Sequence, residues 1–202
     1  MASSVVAATP HVYPLMLDHE IAMGSEGSVV VGSYFGRPAI IKLLGPDRRG
    51  LRIWRTEVQM LERLKELQGE CVPELLGSGH LEAGVHFIAL SKVDGESLSK
   101  LRDSSGGFPP GVGESAKAGL KRLREVVPGF LHGDIHLETV MWGVKGSANN
   151  GASASCVFID FGWSRADESI VQQAQEELHL CSLFGCSSSF APGDPMDPDQ
   201  VD

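Results

Sequence analysis

Two apolar segments that each deliver an aspartate constrain this chain more than any other feature of its sequence. The first, Phe-Leu-His-Gly-Asp-Ile-His-Leu-Glu-Thr-Val-Met at residues 130–141, contains Asp134, and the second, Val-Phe-Ile-Asp-Phe-Gly at residues 157–162, contains Asp160. Between them, residues 145–155 are rich in Gly, Ala, Ser and Asn, which predicts a flexible turn between two short strands. Two carboxylates brought together at strand ends suit the binding of a divalent metal and the orientation of a hydroxyl nucleophile for phosphoryl transfer.

The overall composition is that of an ordinary globular protein. A chain of 202 residues with 42% hydrophobic and 21% charged residues suits one domain or two small lobes that share a core. The net charge of −9 argues against nucleic acid as the main ligand, although it is compatible with a local basic cleft. The apolar runs are shorter than the roughly 18 residues that a bilayer crossing requires, so no membrane association is expected.

The N-terminal region and the cysteines favour a cytoplasmic or nuclear protein. No Lys or Arg precedes Arg37, so the basic region of a signal peptide and the Arg-rich face of a transit peptide are both lacking. The chain has no Cys-x-x-Cys pair. We therefore expect buried or bystander thiols rather than metal ligands at the four cysteines, Cys71, Cys156, Cys181 and Cys186.

Residues 15–92 are expected to form a first lobe of five antiparallel strands and one helix. Alternating and short apolar runs predict strands near residues 21–22, 28–34, 38–44, 80–81 and 85–92. A long helix is predicted over residues 51–67, because apolar side chains recur there at three- and four-residue steps. Residues 1–14 are small and polar with two prolines, and we expect a flexible N-terminus.

Residues 93–186 are expected to form a reduced, mainly helical second lobe. Residues 93–98 are expected to cross between the lobes. Helices are predicted over residues 98–102, 114–127 and 168–184. Residues 187–202 contain four Asp and three Pro with few apolar side chains, which predicts a disordered acidic tail.

A glycine-rich turn followed by a lysine one hairpin further along suits a site for nucleotide phosphates. The turn contains Gly24, Ser25 and Gly27 and leads into Val29. Glycines let the backbone approach phosphate oxygens and donate its amides, although a hairpin turn that needs positive φ is the alternative explanation. Lys42 ends the apolar strand Ala-Ile-Ile-Lys, where its ammonium group could neutralise those phosphates.

The predicted long helix offers a carboxylate to hold that lysine. Glu57 shares a helix face with Leu61 and Leu64, four and seven residues on, so its side chain should point inward. Glu62 and Glu66 are the competing candidates. We therefore expect Glu57 to pair with the lysine of the strand.

Together these motifs resemble the protein-kinase-like superfamily. The turn is similar to the G-x-G-x-x-G-x-V loop with Ala22 in place of the first glycine, and residues 39–42 are similar to the V-A-I-K strand. His-Gly-Asp and Asp-Phe-Gly resemble the catalytic loop and the metal-binding motif of the atypical, small His-Gly-Asp branch, which includes RIO-like kinases and the small kinase of the tRNA-modifying complex. The resemblance covers roughly residues 21–184. It implies an α+β, two-lobed protein-kinase-like fold that binds ATP and Mg²⁺ in the cleft between the lobes.

The resemblance also implies roles for individual residues. Asp134 would position the acceptor hydroxyl and Asp160 would hold Mg²⁺, while Lys42 would hold the ATP phosphates and Glu57 would orient Lys42. His136 stands where Ser/Thr kinases usually carry a phosphate-contacting Lys and where small-molecule kinases often have His. His132 is expected to brace the loop. Gly133 replaces an Arg that commonly binds an activation-loop phosphate, which implies that no such switch is present.

Thr139 departs from the family pattern. Five residues after the catalytic Asp, the family carries an Asn whose carbonyl binds a second metal ion, whereas Thr139 offers only a hydroxyl as a metal ligand. In addition, no Ala-Pro-Glu follows Asp-Phe-Gly, and only 40 residues follow Gly162. The resemblance therefore implies a minimal ATP-dependent phosphotransferase, with Ser or Thr of a protein substrate as the first choice of acceptor.

Two alternatives remain open. Thr139, Ala22 and the missing substrate-binding helices favour a pseudokinase, a nucleotide-binding or bare scaffold that regulates a protein partner. His-Gly-Asp-x-His favours a small-molecule kinase of the aminoglycoside or choline type, although the chain has no room for the helical insert that holds such acceptors. A deep acidic pocket after Gly162 would indicate a cationic small molecule, and an open groove would indicate a peptide.

Overall fold

The computed structural model describes residues 14–24, 26–102, 107–145 and 153–185. Over these residues the chain is an α+β protein with a five-stranded antiparallel sheet, a three-stranded sheet and four α-helices, which confirms the predicted α+β class and the five-stranded sheet. Several predicted features lie outside the described residues, namely the flexible N-terminus up to residue 13, Ser25, most of the turn at 145–155, and the acidic tail at 187–202.

The larger sheet has the strand order β1-β2-β3-β5-β4. Its strands are β1 (Leu15–Gly24), β2 (Gly27–Tyr34), β3 (Arg37–Leu44), β4 (Leu75–His80) and β5 (His86–Ser91). β1 and β4 begin well before the predicted residues 21–22 and 80–81. Both strands are defined by backbone pairing with β2 and β5 rather than by apolar alternation, and β4 contains two glycines.

Alternation along β3 decides which side of the sheet each side chain occupies. Ala39 and Ile41 pack in a small apolar cluster on one face, while Leu44 joins the main core on the other face. Because successive strand residues point to opposite faces, Lys42 shares the face of Leu44, which α1 (Arg48–Arg63) covers. A cation is thereby placed between the sheet and a helix.

Helix α1 begins three residues earlier than the sequence pattern predicts. Asp47 caps it, because its carboxylate accepts a hydrogen bond of 2.7 Å from the backbone N–H of Gly50. The helix is fixed to the sheet by Trp54, whose indole N–H donates to the carbonyl of Phe87 at 3.0 Å. After Leu64 the chain tightens into a 3₁₀ turn over Lys65–Leu67, so the predicted last turn is not α-helical.

The second half of the described chain combines a three-stranded antiparallel sheet with three helices. The sheet order is β6-β7-β8, with β6 (Gly95–Ser97), β7 (Val140–Lys145) and β8 (Ser153–Phe158). The helices are α2 (Leu98–Leu101), α3 (Val112–Val126) and α4 (Ile170–Leu183). β6 is a strand within the predicted crossing segment, and it pairs with β7 along the register Gly95↔Gly143 to Ser97↔Met141.

One apolar core joins the two sheets. It runs from Ile88 of β5 through Leu61 and Leu64 of α1 to Leu120 of α3 and Phe158 of β8, all of them almost completely buried. Burial of this apolar surface is the main favourable contribution to folding. Within the described residues, none of the helices has the length and apolar character that a membrane crossing requires.

Candidate active site

The ammonium group of Lys42 lies at the centre of the site and contacts two carboxylates. Its Nζ donates to both oxygens of Glu57, at 2.7 and 2.9 Å, and lies 2.9 Å from Oδ1 of Asp160. The side chain of Glu57 is 0% exposed, that of Lys42 is 11% exposed and that of Asp160 is 37% exposed. The structure thus brings together β3, α1 and the segment after β8 at one cation.

Burial and charge act in opposite directions on the pKa values of this buried pair. Burial lowers the pKa of Lys42, but the nearby carboxylates of Glu57 and Asp160 outweigh it, so the pKa of Lys42 is raised. Burial raises the pKa of Glu57, and the ammonium group of Lys42 opposes that shift by stabilising the carboxylate. Lys42 is therefore held as a cation, and a bidentate contact fixes its position.

Asp160 follows β8 in a backbone conformation that is unusual for an aspartate. Its φ is 69°, in the left-handed region, where a non-glycine residue is uncommon. Burial raises the pKa of Asp160, but the charge and the hydrogen bond of Lys42 lower it by more than burial raises it. The pKa of Asp160 therefore lies below its usual range. This turn aims an ionised, partly exposed carboxylate at the cleft.

The cleft above Lys42 has a volume of about 280 Å³ and lies under the glycine turn. Gly24, Gly27 and Val29, which were predicted to bind nucleotide, line this cleft together with Lys42, Glu57 and Asp160. A Cβ at Gly27 would lie 1.9 Å from the carbonyl oxygen of Leu43, so only glycine fits there. Packing against β3 is therefore one reason for this glycine.

The loop that carries Asp134 is tied to the residue that precedes Asp160. His132 is fully buried, and its Nε2 lies 3.0 Å from the carbonyl oxygen of Ile159, to which it must donate because a carbonyl only accepts. The backbone N–H of Ile159 donates in turn to the carbonyl of Thr139 at 3.0 Å. The two aspartate segments are thus joined by hydrogen bonds on either side of Ile159, and His132 has the bracing role that was expected.

His132 remains neutral in the folded protein. Burial lowers its pKa to about 4, against an ordinary value of 6.5, and its ring lies between Phe158 and Phe161 with centroid distances of 5.9 and 5.1 Å. Because Nε2 carries the proton, Nδ1 is left unprotonated, and this buried atom has no hydrogen-bond partner among the described residues. A charged imidazole would be costly in these surroundings.

Asp134 and His136 lie side by side and are both about half exposed. Nε2 of His136 is 3.6 Å from Oδ2 of Asp134, while Nδ1 of His136 accepts a hydrogen bond of 3.2 Å from the backbone N–H of Glu138. That bond places the proton of the neutral ring on Nε2, toward the Asp134 carboxylate. The arrangement leaves the Asp134 side chain 43% exposed to solvent.

Thr139 uses its hydroxyl to close the loop that carries Asp134. The hydroxyl lies 2.7 Å from the carbonyl oxygen of Asp134, to which it donates, and it accepts from the backbone N–H of His136 at 3.0 Å. The residue is only 4% exposed. Its role as a metal ligand stays a prediction, and among the described residues no group of three or more His, Cys, Asp or Glu side chains could hold a metal ion.

Neither the models of known protein families nor the curated proteins give a match to the sequence.

Helix α4 contributes two residues to which the sequence analysis assigned no role at the site. Oε1 of Glu176 accepts a hydrogen bond of 2.9 Å from the backbone N–H of Gly133, and Nε2 of His179 lies 2.9 Å from the carbonyl oxygen of Ile135. Burial raises the pKa of Glu176, against the opposing hydrogen bond of Gly133 and the charge of Arg124. The loop around Asp134 is therefore held from outside by residues three positions apart on one helix face, a spacing visible in the sequence.

A second group that the sequence analysis missed joins the glycine turn to the segment after Asp160. The indole N–H of Trp163 donates to Oε1 of Glu26 at 3.0 Å, and Arg49 of α1 donates to the same oxygen at 2.9 Å. The guanidinium groups of Arg49 and Arg52 lie 5.9 and 5.0 Å from the Trp163 ring centre. The signal in the sequence was a tryptophan placed directly after Asp-Phe-Gly.

Proposed function

We propose that this chain is an ATP- and Mg²⁺-dependent phosphotransferase with a protein-kinase-like, two-lobed arrangement. The observation that carries the proposal is the contact of Lys42 with both Glu57 and Asp160 under the glycine turn. A buried structural ion pair needs one carboxylate. Here the second carboxylate, that of Asp160, is partly exposed to the cleft, so it can bind another cation in place of the Lys42 ammonium group.

The residues of the cleft fit nucleotide phosphates and Mg²⁺. Mg²⁺ in nucleotide sites is usually held by one or two carboxylates together with phosphate oxygens, and Asp160 supplies an ionised carboxylate at the cleft. Lys42 supplies a fixed positive charge, and the turn from Gly24 to Gly27 brings backbone close to the same space. Asp160 would hold Mg²⁺, whose charge would offset part of the negative charge of the phosphates.

The remaining residues position the reactants. Glu57 holds the Lys42 ammonium in one place, so its charge is in position before the phosphates bind. Asp134 would accept the proton of the acceptor hydroxyl, and His136 beside it would orient that carboxylate. In this proposal the rate comes from positioning and charge neutralisation rather than from covalent chemistry of the protein.

The surface next to the loop favours a Ser or Thr of a protein as acceptor over a cationic small molecule. A groove of about 430 Å³ runs past Gly133, Gly162 and Trp163, and it is lined by Arg52 and Arg165 with no Asp or Glu. An aminoglycoside or choline would meet repulsion there. A peptide in extended form suits an open groove of this kind.

A pseudokinase is the second candidate, and one observation favours it. The Thr139 hydroxyl is used by the backbone of its own loop and is almost completely buried, so it is a poor ligand for a second metal ion. In that case the chain would bind nucleotide weakly or not at all and would act as a scaffold for a regulatory protein partner.

Thermal unfolding with and without ATP and Mg²⁺ separates the two candidates. A ligand that binds only the folded state stabilises it by about 2.7 kcal/mol at a hundred times its Kd, so ATP with Mg²⁺ should raise Tm. The rise should be lost in Asp160→Asn, since asparagine tolerates the left-handed backbone but carries no charge. Asp167→Asn is the matched control, because Asp167 also has positive φ, at 61°, and does not line the cleft. No rise at saturating nucleotide would contradict the phosphotransferase and favour the scaffold.

A further inference from the structure

The groove beside Asp134 is positively charged in a chain whose net charge is −9. We call it the arginine groove, and its lining residues are Arg52, Thr56, Gly133, Gly162, Trp163, Ser164 and Arg165. It lies between α1 and the segment that follows Asp160. Because Gly133 precedes Asp134 directly, a ligand in this groove lies next to the proposed acceptor position.

The first two turns of α1 carry an unusual concentration of arginine. Four of the 17 Lys and Arg residues of the chain are Arg48, Arg49, Arg52 and Arg55. The N-terminus of a helix is the positive end of its dipole, so cations there are unfavourable, and the carboxylate of Asp47 is the acidic group that caps this end of α1. Arg49 is paired with Glu26, and no ion pair with a described carboxylate accounts for Arg52, which favours a role for Arg52 in binding an anion.

The two arginines of the groove make different contacts. The guanidinium carbon of Arg52 lies over the Trp163 ring, 5.0 Å from its centre, and Arg52 has no ion pair with any described residue. A contact with a ring face uses none of the five N–H donors of a guanidinium, so they stay available to an anion. Arg165 pairs with Glu168 at 3.3 Å, and both side chains are accessible from solvent, so a stronger anion could compete for that guanidinium.

We infer that the arginine groove binds an acidic segment of the acceptor protein and so directs phosphate transfer to a Ser or Thr among carboxylates. The inference rests on the proposed function, since it names the substrate class of that site. Charge complementarity carries it, because a guanidinium can bind a carboxylate through two N–H groups and the seven lining residues include no Asp or Glu. Glu168, which lies outside that lining, is the carboxylate that an acidic segment would have to displace from Arg165. A nucleic acid would need a longer basic track and would meet the repulsion of the remaining negative surface.

Fluorescence anisotropy of labelled peptides on the full chain tests this inference without any phosphate transfer. One peptide carries a central Ser flanked by Asp and Glu, and its partner carries Asn and Gln at the same positions. We expect the acidic peptide to bind at least tenfold more tightly at low salt, with the preference falling as salt rises. The double variant Arg52→Ala with Arg165→Ala should lose most of the preference.

Arg63→Ala is the matched control, since Arg63 is an exposed arginine in the last turn of the same helix, about 16 Å from Arg52 along the axis. It should keep the full preference. Equal affinity for both peptides, or an equal loss in Arg63→Ala, would overturn the inference, as would tighter binding of a single-stranded oligonucleotide with the same dependence on Arg52. If ATP and Mg²⁺ stabilise the protein but the acidic peptide binds no more tightly than its partner, the inference about the groove is wrong and the proposed phosphotransferase stands. If the acidic peptide binds more tightly but ATP and Mg²⁺ bring no stabilisation, the proposed phosphotransferase is wrong and the groove still binds acidic segments.

Discussion

The indole N–H of Trp163 donates a hydrogen bond of 3.0 Å to the carboxylate of Glu26, which joins two segments on either side of the cleft. Trp163 comes three residues after Asp160, and Glu26 lies inside the glycine turn, 137 positions away in the chain. The turn over the cleft is therefore held by a contact that any ligand entering beneath it has to accommodate. Two residues that carry no proposed chemistry thus influence access to those that do.

Replacing Trp163 by Phe should loosen the glycine turn. Phenylalanine keeps an aromatic ring under Arg52 but cannot donate to Glu26, and a lost hydrogen bond of this kind is worth about 1 kcal/mol. Amide hydrogen exchange of residues 26–29 should accelerate by roughly fivefold. Trp142→Phe, in β7, is the control and should leave that exchange unchanged. Unaltered exchange in Trp163→Phe would show that the contact does not hold the turn.

Glu57→Gln should impair phosphate transfer and lower stability together. Glutamine retains an oxygen for Lys42 but loses the charge, so we expect a free energy of unfolding lower by about 1–3 kcal/mol. We also expect kcat/KM to fall by at least about tenfold, which corresponds to about 1.4 kcal/mol of transition-state stabilisation. Glu62→Gln changes an exposed carboxylate on the same helix, and it should match the wild-type protein in urea unfolding and in activity. Identical behaviour of the two variants would count against an orienting role for Glu57.

His132 should make the folded state sensitive to mild acid. The pKa of His132 is about 4 when folded and near 6.5 when unfolded, so between these values the unfolded chain binds a proton that the folded chain does not. The neutral His132 therefore costs the folded protein no stability above pH 6.5. As the pH falls from 6.5 toward 4, the free energy of unfolding decreases by about 3 kcal/mol because of this residue. Urea unfolding at several pH values should show a shallower decline for His132→Asn than for wild type. The exposed His19→Asn serves as the control, and an equal slope for all three proteins would refute the assignment.

Thr139→Asn should raise the rate of phosphate transfer. Asparagine has nearly the same volume and adds a carbonyl that can bind a metal ion, so we expect a gain of about tenfold at saturating Mg²⁺. Thr139→Ser keeps the hydroxyl bonded to the Asp134 carbonyl and should stay near the wild-type rate. Steady-state kinetics over a range of Mg²⁺ concentrations would measure both. If Thr139→Asn does not increase the rate of phosphate transfer, Thr139 is not the residue that limits that rate.

Gly133→Ala should be more destabilising than a glycine replacement elsewhere with the same backbone angle. Gly133 has φ of 81°, and a Cβ there would lie 2.3 Å from the carbonyl oxygen of Trp163. Gly36 has φ of 76° with nothing within 4 Å, so Gly36→Ala carries the backbone strain without the clash. We expect about 1 kcal/mol for Gly36→Ala and about 2–4 kcal/mol for Gly133→Ala in urea unfolding. Equal losses of stability in the two variants would mean that the loop around Gly133 shifts to accommodate the added Cβ at no cost.

The sequence predicted the centre of the site better than its surroundings. Lys42 and Glu57 could be paired because strand alternation and helix periodicity each point one side chain at the same interface. β6 was missed because Gly95-Glu96-Ser97 has no apolar alternation and is defined only by its partner β7. Glu176 and His179 were missed for a related reason, since polar residues on a half-exposed helix give no sign of which loop they contact.

Gly133 also bears on how this chain could change over evolutionary time. A side chain at Gly133 would meet the carbonyl of Trp163, and the amide of Gly133 is bonded to Glu176. A single codon change from glycine to arginine at this position would disrupt the loop. In the proposed phosphotransferase, an arginine that senses a phosphorylated loop could therefore arise only after the segment that follows Gly162 had changed, so a lineage with this loop is expected to acquire its regulation elsewhere.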